Sequence, residues 1–383
     1  MILDTRFGHS DIKEAAMSDT KHPAEQSHSA LATESEHSKS GASRRSFLVG
    51  LAATGAIAAF SQRTAALQAG SAGSTSAKAF RIDTHHHFTT PKLFELSTAK
   101  GVNQPTLKGW TPERSIEEMN QGGVATSVLS ISDPGVWFGD DAAARALARE
   151  CNEYGAKVVK DYPGRFGQFA VLPLPDVDGS LKEVEYAMDT LKMDGIGILS
   201  SYRGKYLGNP YYAPLMEELN RRKAVVFCHP FCAACDADAN LTDGQSRGVE
   251  FVFDTTRTIL SLLSTGTVTR FPDIRFIWSH GGGTVPYITT RLAGAAQKLP
   301  NGLIPELQKF YYDTAQAFSP YTMPSFKKLV PVSHIVFGTD YPLGGGSAAQ
   351  VAKGLADNGG FTAAEMQAIN RDNALQLLPR LKT

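Results

Sequence analysis

The sequence predicts an α/β fold, a single closed (β/α)8 barrel over residues 80–383. Short apolar strands alternate with helices, eight such strands can be counted, and polar residues recur where the strands end. Strict alternation of strand and helix implies parallel strands joined by right-handed crossovers. Eight parallel strands favour a closed barrel over an open sheet.

Composition narrows the class of protein. The chain has 383 residues with 38 basic and 38 acidic side chains, so its formal net charge is zero. A balanced charge gives no indication of a nucleic-acid partner or of binding to an anionic membrane surface. The hydrophobic fraction of 42% can fill a large core, and four cysteines are too few for a disulfide framework.

Residues 1–79 are predicted to be a disordered leader. Their one organised feature is the pair Arg44 and Arg45, followed by the apolar run Val49–Phe60. This pattern is typical of a twin-arginine export signal. The run is too short to span a bilayer stably. We therefore expect export to the periplasm by the twin-arginine machinery; the alternative is a cytoplasmic protein with a tail in which the arginines pair by chance.

The elements of the barrel follow from apolar runs, caps and periodicity. The predicted strands are Phe80–Asp83, Thr126–Ser132, Phe166–Leu172, Gly195–Ser200, Ala224–Cys228, Ile274–Ser279, Phe310–Asp313 and Ile335–Phe337. The predicted helices are Pro112–Gln121, Asp141–Lys160, Gly179–Lys192, Tyr211–Arg222 and an amphipathic Thr362–Leu378 that packs outside the barrel. Thr111 before Pro112 is a typical helix cap.

The first strand leads into three consecutive histidines. Side chains on a strand alternate between its faces, so His85 and His87 point to one side and His86 to the other. Two imidazoles on one face can bind a single divalent cation, and zinc requires three or four such ligands. His86 needs a partner in the barrel wall instead.

Further polar residues stand at the ends of later strands. His229 ends the fifth strand, His280 follows the sixth and Asp340 follows the eighth. In barrels of this type the reacting groups lie at the carboxyl ends of the strands, which meet at one mouth. Six of the ten histidines fall within residues 80–383, and four of these six occupy such ends. The pattern therefore predicts a metal-dependent site at the mouth.

The motifs together resemble those of a known family. In chain order they are His-x-His at 85–87, Val-Phe-Cys-His-Pro at 226–230, Ser-His-Gly-Gly-Gly at 279–283 and Phe-Gly-Thr-Asp-Tyr-Pro at 337–342. This combination resembles the metal-dependent amidohydrolase superfamily, in the branch of aminocarboxymuconate-semialdehyde decarboxylase. The resemblance covers Arg81 to Leu378. Tyr311–Ala315 and Ile131–Val136 are most similar to enzymes of the 6-methylsalicylate decarboxylase type.

The resemblance implies a ligand set. It makes His85, His87, His229 and Asp340 the ligands of one divalent ion, zinc first and manganese as the alternative. Binuclear members of the superfamily carry a lysine at the end of the fourth strand. The corresponding strand here, Gly195–Ser200, has none, which favours a single ion.

The resemblance also implies roles in catalysis. His280 is expected to be a base and hydrogen-bond donor beside the metal-bound water, not a primary ligand. Asp340 can pass a proton to the carbon that loses carbon dioxide, and His280 can exchange that proton because histidine titrates near neutral pH. The same residues could also activate water against a lactone, an amide or an ester.

Arg291 lies eleven residues after His280. In the decarboxylase branch an arginine at this spacing binds a substrate carboxylate, in some members across a dimer interface. The resemblance therefore implies a homodimer, with Arg291 on a helix that begins near Pro286. The alternative is a solvated helix arginine, the ordinary state of this residue type.

Two other pairs have simpler interpretations. Trp137 and Phe138 follow the second strand and can either stack on a substrate or pack within their loop; we favour packing. Cys232 and Cys235 lack the second pair that a structural zinc site needs. They are expected to form a local disulfide or to remain two inert thiols.

The sequence thus predicts a carboxy-lyase of the amidohydrolase superfamily that acts on a small aromatic or unsaturated carboxylic acid without an organic cofactor. A metal-dependent hydrolase of a lactone, amide or ester is the alternative. A metal-binding barrel without activity is a third class, which the full ligand set and His280 argue against.

Overall fold

The computed structural model describes residues 80–102, 104–231, 243–344 and 346–382. They contain the predicted barrel of eight parallel strands, whose order in the sheet follows the order in the chain. The strands are β1 Arg81–His87, β2 Val124–Ser130, β3 Phe166–Val171, β4 Gly195–Leu199, β5 Val225–His229, β6 Arg275–Trp278, β7 Tyr311–Asp313 and β8 Ile335–Val336. Most boundaries differ from the predicted ones by one or two residues, and β1 continues through all three histidines.

The first and last strands meet and nearly close the barrel. The Asp340 N–H donates to the His85 carbonyl (2.8 Å), and the His87 N–H donates to the Tyr341 carbonyl (2.7 Å). This pairing continues beyond the two residues of β8, because the chain stays beside β1 up to Tyr341. The closure brings Asp340 beside the histidines of β1.

Helices cover the outside of the barrel. They are α1 Pro91–Ala99, α2 Pro112–Gln121, α3 Asp141–Asp161, α4 Val177–Glu185, α5 Ala213–Arg221, α6 Asp243–Ser264, α7 Thr267–Arg270, α8 Val285–Ile288, α9 Leu303–Leu307, α10 Met323–Leu329, α11 Ala348–Asn358, α12 Ala363–Gln367 and α13 Asn373–Leu377. Helix α2 has its predicted bounds, because the Thr111 hydroxyl accepts from the Arg114 N–H and Pro112 occupies the first turn. The predicted helix at 179–192 is α4 followed by a π-turn, Tyr186–Thr190.

Several elements were not predicted, among them the helices α1, α7, α9, α10 and α11. Two others lie near the mouth of the barrel. A short hairpin pairs Ser201–Tyr202 with Lys205–Tyr206 after β4. The long helix α6 follows the segment 232–242, which lies outside the described residues. None of the helices in the described ranges is long and apolar enough to cross a membrane.

The barrel interior is filled by side chains from alternate strand positions, as in other barrels of this class. The interior cluster is Ile82, Val128, Phe169, Val225, Phe227, Ile277 and Val336, together with Ala374, Leu377, Leu378 and Leu381. The last four belong to the C-terminal segment, so this segment joins the interior core, whereas the sequence had placed it outside the barrel. A larger core lies between the strands and the helices.

Several predictions fall on residues outside the described ranges. These are the disordered leader at 1–79 with Arg44 and Arg45, and the thiols of Cys232 and Cys235. They stay predictions.

Asp83 joins the two strands that close the barrel. Its carboxylate accepts from the His85 N–H (3.1 Å) and from Thr339, through both the N–H (3.0 Å) and the hydroxyl (2.7 Å). It also contacts His86 Nδ1 at 3.1 Å, while His86 Nε2 contacts the Ser115 hydroxyl at 3.1 Å. His86 therefore faces the wall, as predicted, and Asp83 is buried among its partners.

We predict that Asp83→Ala lowers the free energy of unfolding by about 3 kcal/mol, because several buried donors lose their acceptor. Urea denaturation of the metal-free protein measures this. The matched control is Asp273→Ala, at an exposed aspartate, which should change the free energy by no more than about 0.5 kcal/mol. Equal effects of the two substitutions would contradict the role of Asp83 in closing the barrel.

Candidate metal centre

Five predicted site residues lie together at the mouth. They are His85 and His87 on β1, His229 on β5, His280 after β6 and Asp340 after β8. The Nε2 atoms of His85 and His87 are 2.9 Å apart, and Asp340 Oδ1 lies 3.2 and 3.1 Å from them. Ligand atoms of His85, His229, His280 and Asp340 all lie within 4.8 Å of one another. We call these five residues the mouth cluster; all five are buried.

Hydrogen-bond partners at Nδ1, on the side away from the cluster, orient the two histidines of β1. His85 Nδ1 is 2.6 Å from Asp313 Oδ2, and His87 Nδ1 is 3.0 Å from the Ser130 hydroxyl. A proton on Nδ1, held by such a partner, leaves the lone pair of Nε2 directed into the cluster. Both imidazoles are therefore oriented with Nε2 toward the cluster, the atom through which each could bind a cation.

His229 has the same arrangement. Its Nδ1 donates to the Pro230 carbonyl (2.9 Å), so Nε2 is the unprotonated atom. His229 Nε2 is buried without a hydrogen-bond partner, and Asp340 Oδ1 has no hydrogen bond of good geometry although two imidazole nitrogens lie within 3.2 Å of it. Buried polar atoms are almost always satisfied, and a cation between these two would satisfy both. Imidazole and carboxylate donors in this number fit zinc, and also manganese.

Asp313 was missed in the sequence as a functional residue. Besides His85 Nδ1, it accepts from the backbone N–H groups of His280 (2.9 Å) and Ala315 (3.0 Å) through Oδ1. One buried carboxylate thus fixes both a histidine of the first strand and the loop that carries His280. The available signal was its position, since Asp313 ends β7 just as the other polar residues end their strands.

The glycine of the Phe-Gly-Thr-Asp motif has a spatial reason. A Cβ atom on Gly338 would lie 2.9 Å from the Cβ atoms of both His85 and Asp313. Real Cβ contacts are not this short, so a larger residue would push apart the two side chains that hydrogen-bond behind the cluster. Gly338 is required for this packing.

Two loops hold the carboxylate of Asp340 from outside. Gln316 donates its side-chain amide to Asp340 Oδ2 (3.1 Å), and His280 Nε2 lies 3.2 Å from the same oxygen. All three residues have positive φ angles, 55° for Gln316, 52° for His280 and 62° for Asp340. Such backbone strain in residues other than glycine is concentrated at functional sites. Gln316 was not predicted, because no local pattern marks it.

The charges in the cluster depend on one another. Burial alone would lower the pKa of His85, but Asp313 and Asp340 outweigh it and raise the pKa to about 10. Burial lowers the pKa of His87 to about 4. For His229, burial and then the neighbouring His87 and His85 lower the pKa well below its usual range.

Asp340 stays ionised in this environment. Burial opposes its charge, but His85 and the hydrogen bond from His280 hold the pKa of Asp340 well below its usual range. Without a cation, the cluster therefore contains a protonated His85 beside an ionised Asp340, with His87 and His229 neutral. A proton on His85 Nε2 and a metal ion compete for the same lone pair.

Arg291 is not part of the buried mouth cluster. Its side chain is exposed, in the 3-10 segment Thr289–Lys298 that follows the four-residue helix α8. The regular helix expected from Pro286 is thus replaced by a short α-helix and a tighter turn. Trp137 donates its indole N–H to Asp141 (2.8 Å), and Phe138 packs against the core, which agrees with the packing interpretation.

We predict that binding of zinc to the metal-free protein at pH 7 releases about one proton, which comes from His85. Because its pKa is raised, this proton is bound below about pH 10, and the apparent affinity for zinc should rise about tenfold per pH unit between pH 5 and pH 9. Calorimetry in two buffers of different ionisation enthalpy measures the release. Heats that do not depend on the buffer would mean that His85 is neutral before zinc binds.

Comparison with known proteins agrees with the geometry. The family model for amidohydrolases matches residues 82–380. Decarboxylase yanB from Aspergillus niger is 36% identical over 324 residues, covering 79% of this chain and 88% of that protein. The 6-methylsalicylic acid decarboxylase acuB from Aspergillus aculeatus is 34% identical, covering 79% of this chain and 97% of that protein.

Solved structures share the fold. An amidohydrolase II structure superposes with a TM-score of 0.72 at 29% identity, covering 78% of this chain and 99% of the other. A 2,6-dihydroxybenzoate decarboxylase in complex with 2,6-dihydroxybenzoate superposes with a TM-score of 0.68 at 23% identity, covering 78% and 99%. With a barrel, a histidine and aspartate metal site and decarboxylases among its relatives, this chain belongs to the amidohydrolase family and is one of its carboxy-lyases.

Proposed function

We propose that this chain decarboxylates a small hydroxylated aromatic acid at a single divalent ion held by His85, His87, His229 and Asp340. The observation that carries the proposal is that the two oxygens of the Asp340 carboxylate face different residues. Its Oδ1 faces the Nε2 atoms of His85 and His87, and its Oδ2 faces His280 Nε2. One carboxylate can therefore bind the ion through one oxygen and exchange a proton through the other.

The choice of His87 over His280 as a ligand rests on which oxygen of Asp340 each histidine faces. His87 Nε2 lies 3.1 Å from Asp340 Oδ1, on the side of His85 Nε2. His280 Nε2 lies 3.2 Å from the other oxygen, Oδ2. A ligand set with His280 in place of His87 satisfies the distances too, but it would leave a proton relay without its histidine. We therefore assign His87 to the ion and His280 to the relay.

The ion in this proposal is zinc, because three imidazoles and a carboxylate are a typical zinc donor set. Manganese is the alternative: a related fold, a dihydroxybenzoic acid decarboxylase from Polaromonas at 23% identity, contains bound manganese. The ion supplies positive charge that binds a substrate carboxylate and the oxygen beside it. Elemental analysis of purified protein tests the choice.

The protein side chains handle the proton. His280 Nε2 passes a proton to Asp340 Oδ2, which donates it to the ring carbon that carries the carboxylate. The bond from this carbon to the carboxylate then breaks, carbon dioxide leaves, and the bonding electrons restore the aromatic ring. One proton is consumed for each carbon dioxide released. Asp313 holds the backbone of His280 in place during the transfer.

The substrate class is supported by the relatives. The 6-methylsalicylic acid decarboxylase of Penicillium expansum is 32% identical, and a gamma-resorcylate decarboxylase from Polaromonas is 26% identical. The substrates in both names are hydroxybenzoic acids, in which a phenolic oxygen adjoins the carboxylate. Such a pair of oxygens can bind one ion together.

The test is a paired screen of metal-loaded protein. Hydroxybenzoates are assayed for carbon dioxide, and lactones are assayed for acid release. We expect carbon dioxide from one or more hydroxybenzoates. His229→Ala should lose both the ion and turnover, whereas His280→Ala should keep the ion and lose roughly a hundredfold or more in turnover. Release of acid from lactones, with no carbon dioxide from hydroxybenzoates, would show a hydrolase and contradict the proposal. Normal turnover in His280→Ala would contradict the role of His280 in proton transfer.

We also propose that the chain forms a homodimer in which Arg291 binds the substrate carboxylate in the partner subunit. Arg291 is exposed, and the segment that carries it contacts α6. Large apolar side chains are exposed on α6, on α8, which precedes the segment of Arg291, and on α9: Val249, Phe253, Tyr287 and Ile304. Exposed apolar groups close together on a surface are typical of an interface. Guanidinium matches both oxygens of a carboxylate.

We predict that Arg291→Ala raises the Michaelis constant for the acid substrate far more than it changes metal content. Mixing Arg291→Ala with His229→Ala should restore part of the activity, because one site of the heterodimer then has both an ion and an arginine. Heterodimers are verified by mass spectrometry. Heterodimers without activity would place Arg291 in its own subunit's site or outside any site.

We propose that export follows the twin-arginine route, on the sequence pattern of Arg44, Arg45 and Val49–Phe60. Changing both residues, Arg44→Lys with Arg45→Lys, should hold the protein in the cytoplasm uncleaved. Cell fractionation measures this. An equal amount of periplasmic protein from the double variant would mean another route or no signal.

A further inference from the structure

We infer that Phe251, on helix α6, is the aromatic wall against which the ring of the substrate packs. This inference rests on the proposed function and deepens it, because it selects planar aromatic acids over acyclic unsaturated ones. No motif in the sequence marked Phe251, and the proton relay does not use it.

The first observation is where the Phe251 ring lies. Its centroid is 5.5 Å from that of His229, at an interplanar angle of 80°, and 6.5 Å from that of His280, at 20°. Phe251 therefore contacts one residue assigned to the ion and stands nearly parallel to the residue assigned to the relay. It is only half-buried, whereas both histidines are buried. The ring thus stands between the mouth cluster and the outside.

The second observation is that α6 is fixed on both sides of Phe251. One turn before it, Arg247 forms an ion pair with Asp133, in the loop after β2, and its guanidinium lies 5.7 Å from the Phe251 ring centroid. Asp133 also accepts from the side-chain amide of Gln104 at 3.3 Å. The ion pair joins α6 to the opposite side of the mouth.

On the other side, buried Asp254 accepts from the Ser200 hydroxyl, and from the Tyr206 hydroxyl at 2.7 Å. Ser200 in turn accepts from the Phe231 N–H (2.8 Å), two residues after His229. These contacts connect α6 to the ends of β4 and β5, close to the mouth cluster.

Helical spacing places the anchors and the ring on one face. Positions 247, 251 and 254 are four and three residues apart, so they share a face of α6. Phe253 is two residues further along than Phe251 and is 41% exposed on the other side. A ring held by packing and by anchors on both sides loses little freedom when a ligand binds, which favours affinity.

The contact is a specific one. An acid bound at the ion by its carboxylate and phenolic oxygen must extend its ring away from the mouth cluster. Among the described phenylalanine, tyrosine and tryptophan side chains, Phe251 contacts both His229 and His280 there. The interaction free energy of an aromatic pair exceeds what its buried area alone gives, by an amount equal to roughly a three- to tenfold change in affinity. An acyclic acid gains nothing from this pairing.

The experiment compares two chelating probes on zinc-loaded protein by calorimetry. One is 2-nitroresorcinol, a planar ring that is an inhibitor of a Polaromonas decarboxylase of related fold; the other is oxalate, which has no ring. We expect Phe251→Leu to weaken 2-nitroresorcinol roughly three- to tenfold and to leave oxalate within about twofold. Phe251→Tyr, which keeps the ring, should retain the affinity for 2-nitroresorcinol.

Phe271→Leu is the matched control: the same substitution at another half-buried phenylalanine, which precedes β6 at the opposite end of the barrel from the mouth, should affect neither probe. Zinc content and thermal melting are measured for every variant. Phe251→Met replaces Phe251→Leu if the latter fails to load zinc. Unchanged affinity for 2-nitroresorcinol, or equal weakening of both probes, would overturn the inference.

The two hypotheses fail in different ways. If carbon dioxide is released but the binding of 2-nitroresorcinol does not depend on Phe251, the role of Phe251 is wrong and the decarboxylase proposal stands. If Phe251→Leu weakens only 2-nitroresorcinol but no hydroxybenzoate yields carbon dioxide, the ring contact is supported and the proposed reaction is wrong.

Discussion

The pairing of the first strand with the chain after the last one is the constraint on which the site depends. The His85 carbonyl accepts from the Asp340 N–H at 2.8 Å, and this single contact brings the carboxylate to the face that carries His85 and His87. Asp83 strengthens the joint by accepting from Thr339. If this pair of strands separated, the β1 histidines would lose the carboxylate while keeping their own positions. The barrel closure and the metal centre are thus one structural feature.

Around this joint the protein balances charge in a buried space. Two carboxylates, Asp313 and Asp340, lie within hydrogen-bond distance of His85 and make it a proton carrier in the absence of a cation. A divalent ion can take the place of that proton without leaving either carboxylate unsatisfied. Asp313 also accepts from the His280 N–H, so the orientation of His85 and the position of His280 are set by the same side chain. A substitution at Asp313 would therefore disturb His85 and His280 together.

Much of this was accessible from the sequence. An apolar run that ends in a polar residue is a local pattern, and the rule that parallel strands open at one mouth places those residues together. His85, His87, His229, His280 and Asp340 were found in this way. The boundaries of strands and helices were less accurate, because the end of a strand depends on hydrogen bonds to its neighbour and not on its own composition.

The rest depended on tertiary contacts. Asp313 was treated as the last residue of a strand, since nothing local shows that it accepts from a histidine. Gln316 and Phe251 have no motif, and α6 follows a segment outside the described residues. Arg291 was expected on a regular helix, but the chain after the glycines at 281–283 forms a short α-helix and a 3-10 segment. Composition does not distinguish these two forms.

The same joint has a consequence for biosynthesis. Asp83 and Thr339 are 256 residues apart in the chain, so the contact that completes the mouth joins the first strand of the barrel to the segment after the last one. A ribosome-bound chain acquires His85, His87 and then His229 long before Asp340 emerges. The histidines of the mouth cluster are thus synthesised first, and its carboxylate follows only when the last strand can pair with the first. A chain that ends before Asp340 therefore lacks both the carboxylate of the mouth cluster and the strand pairing that closes the barrel.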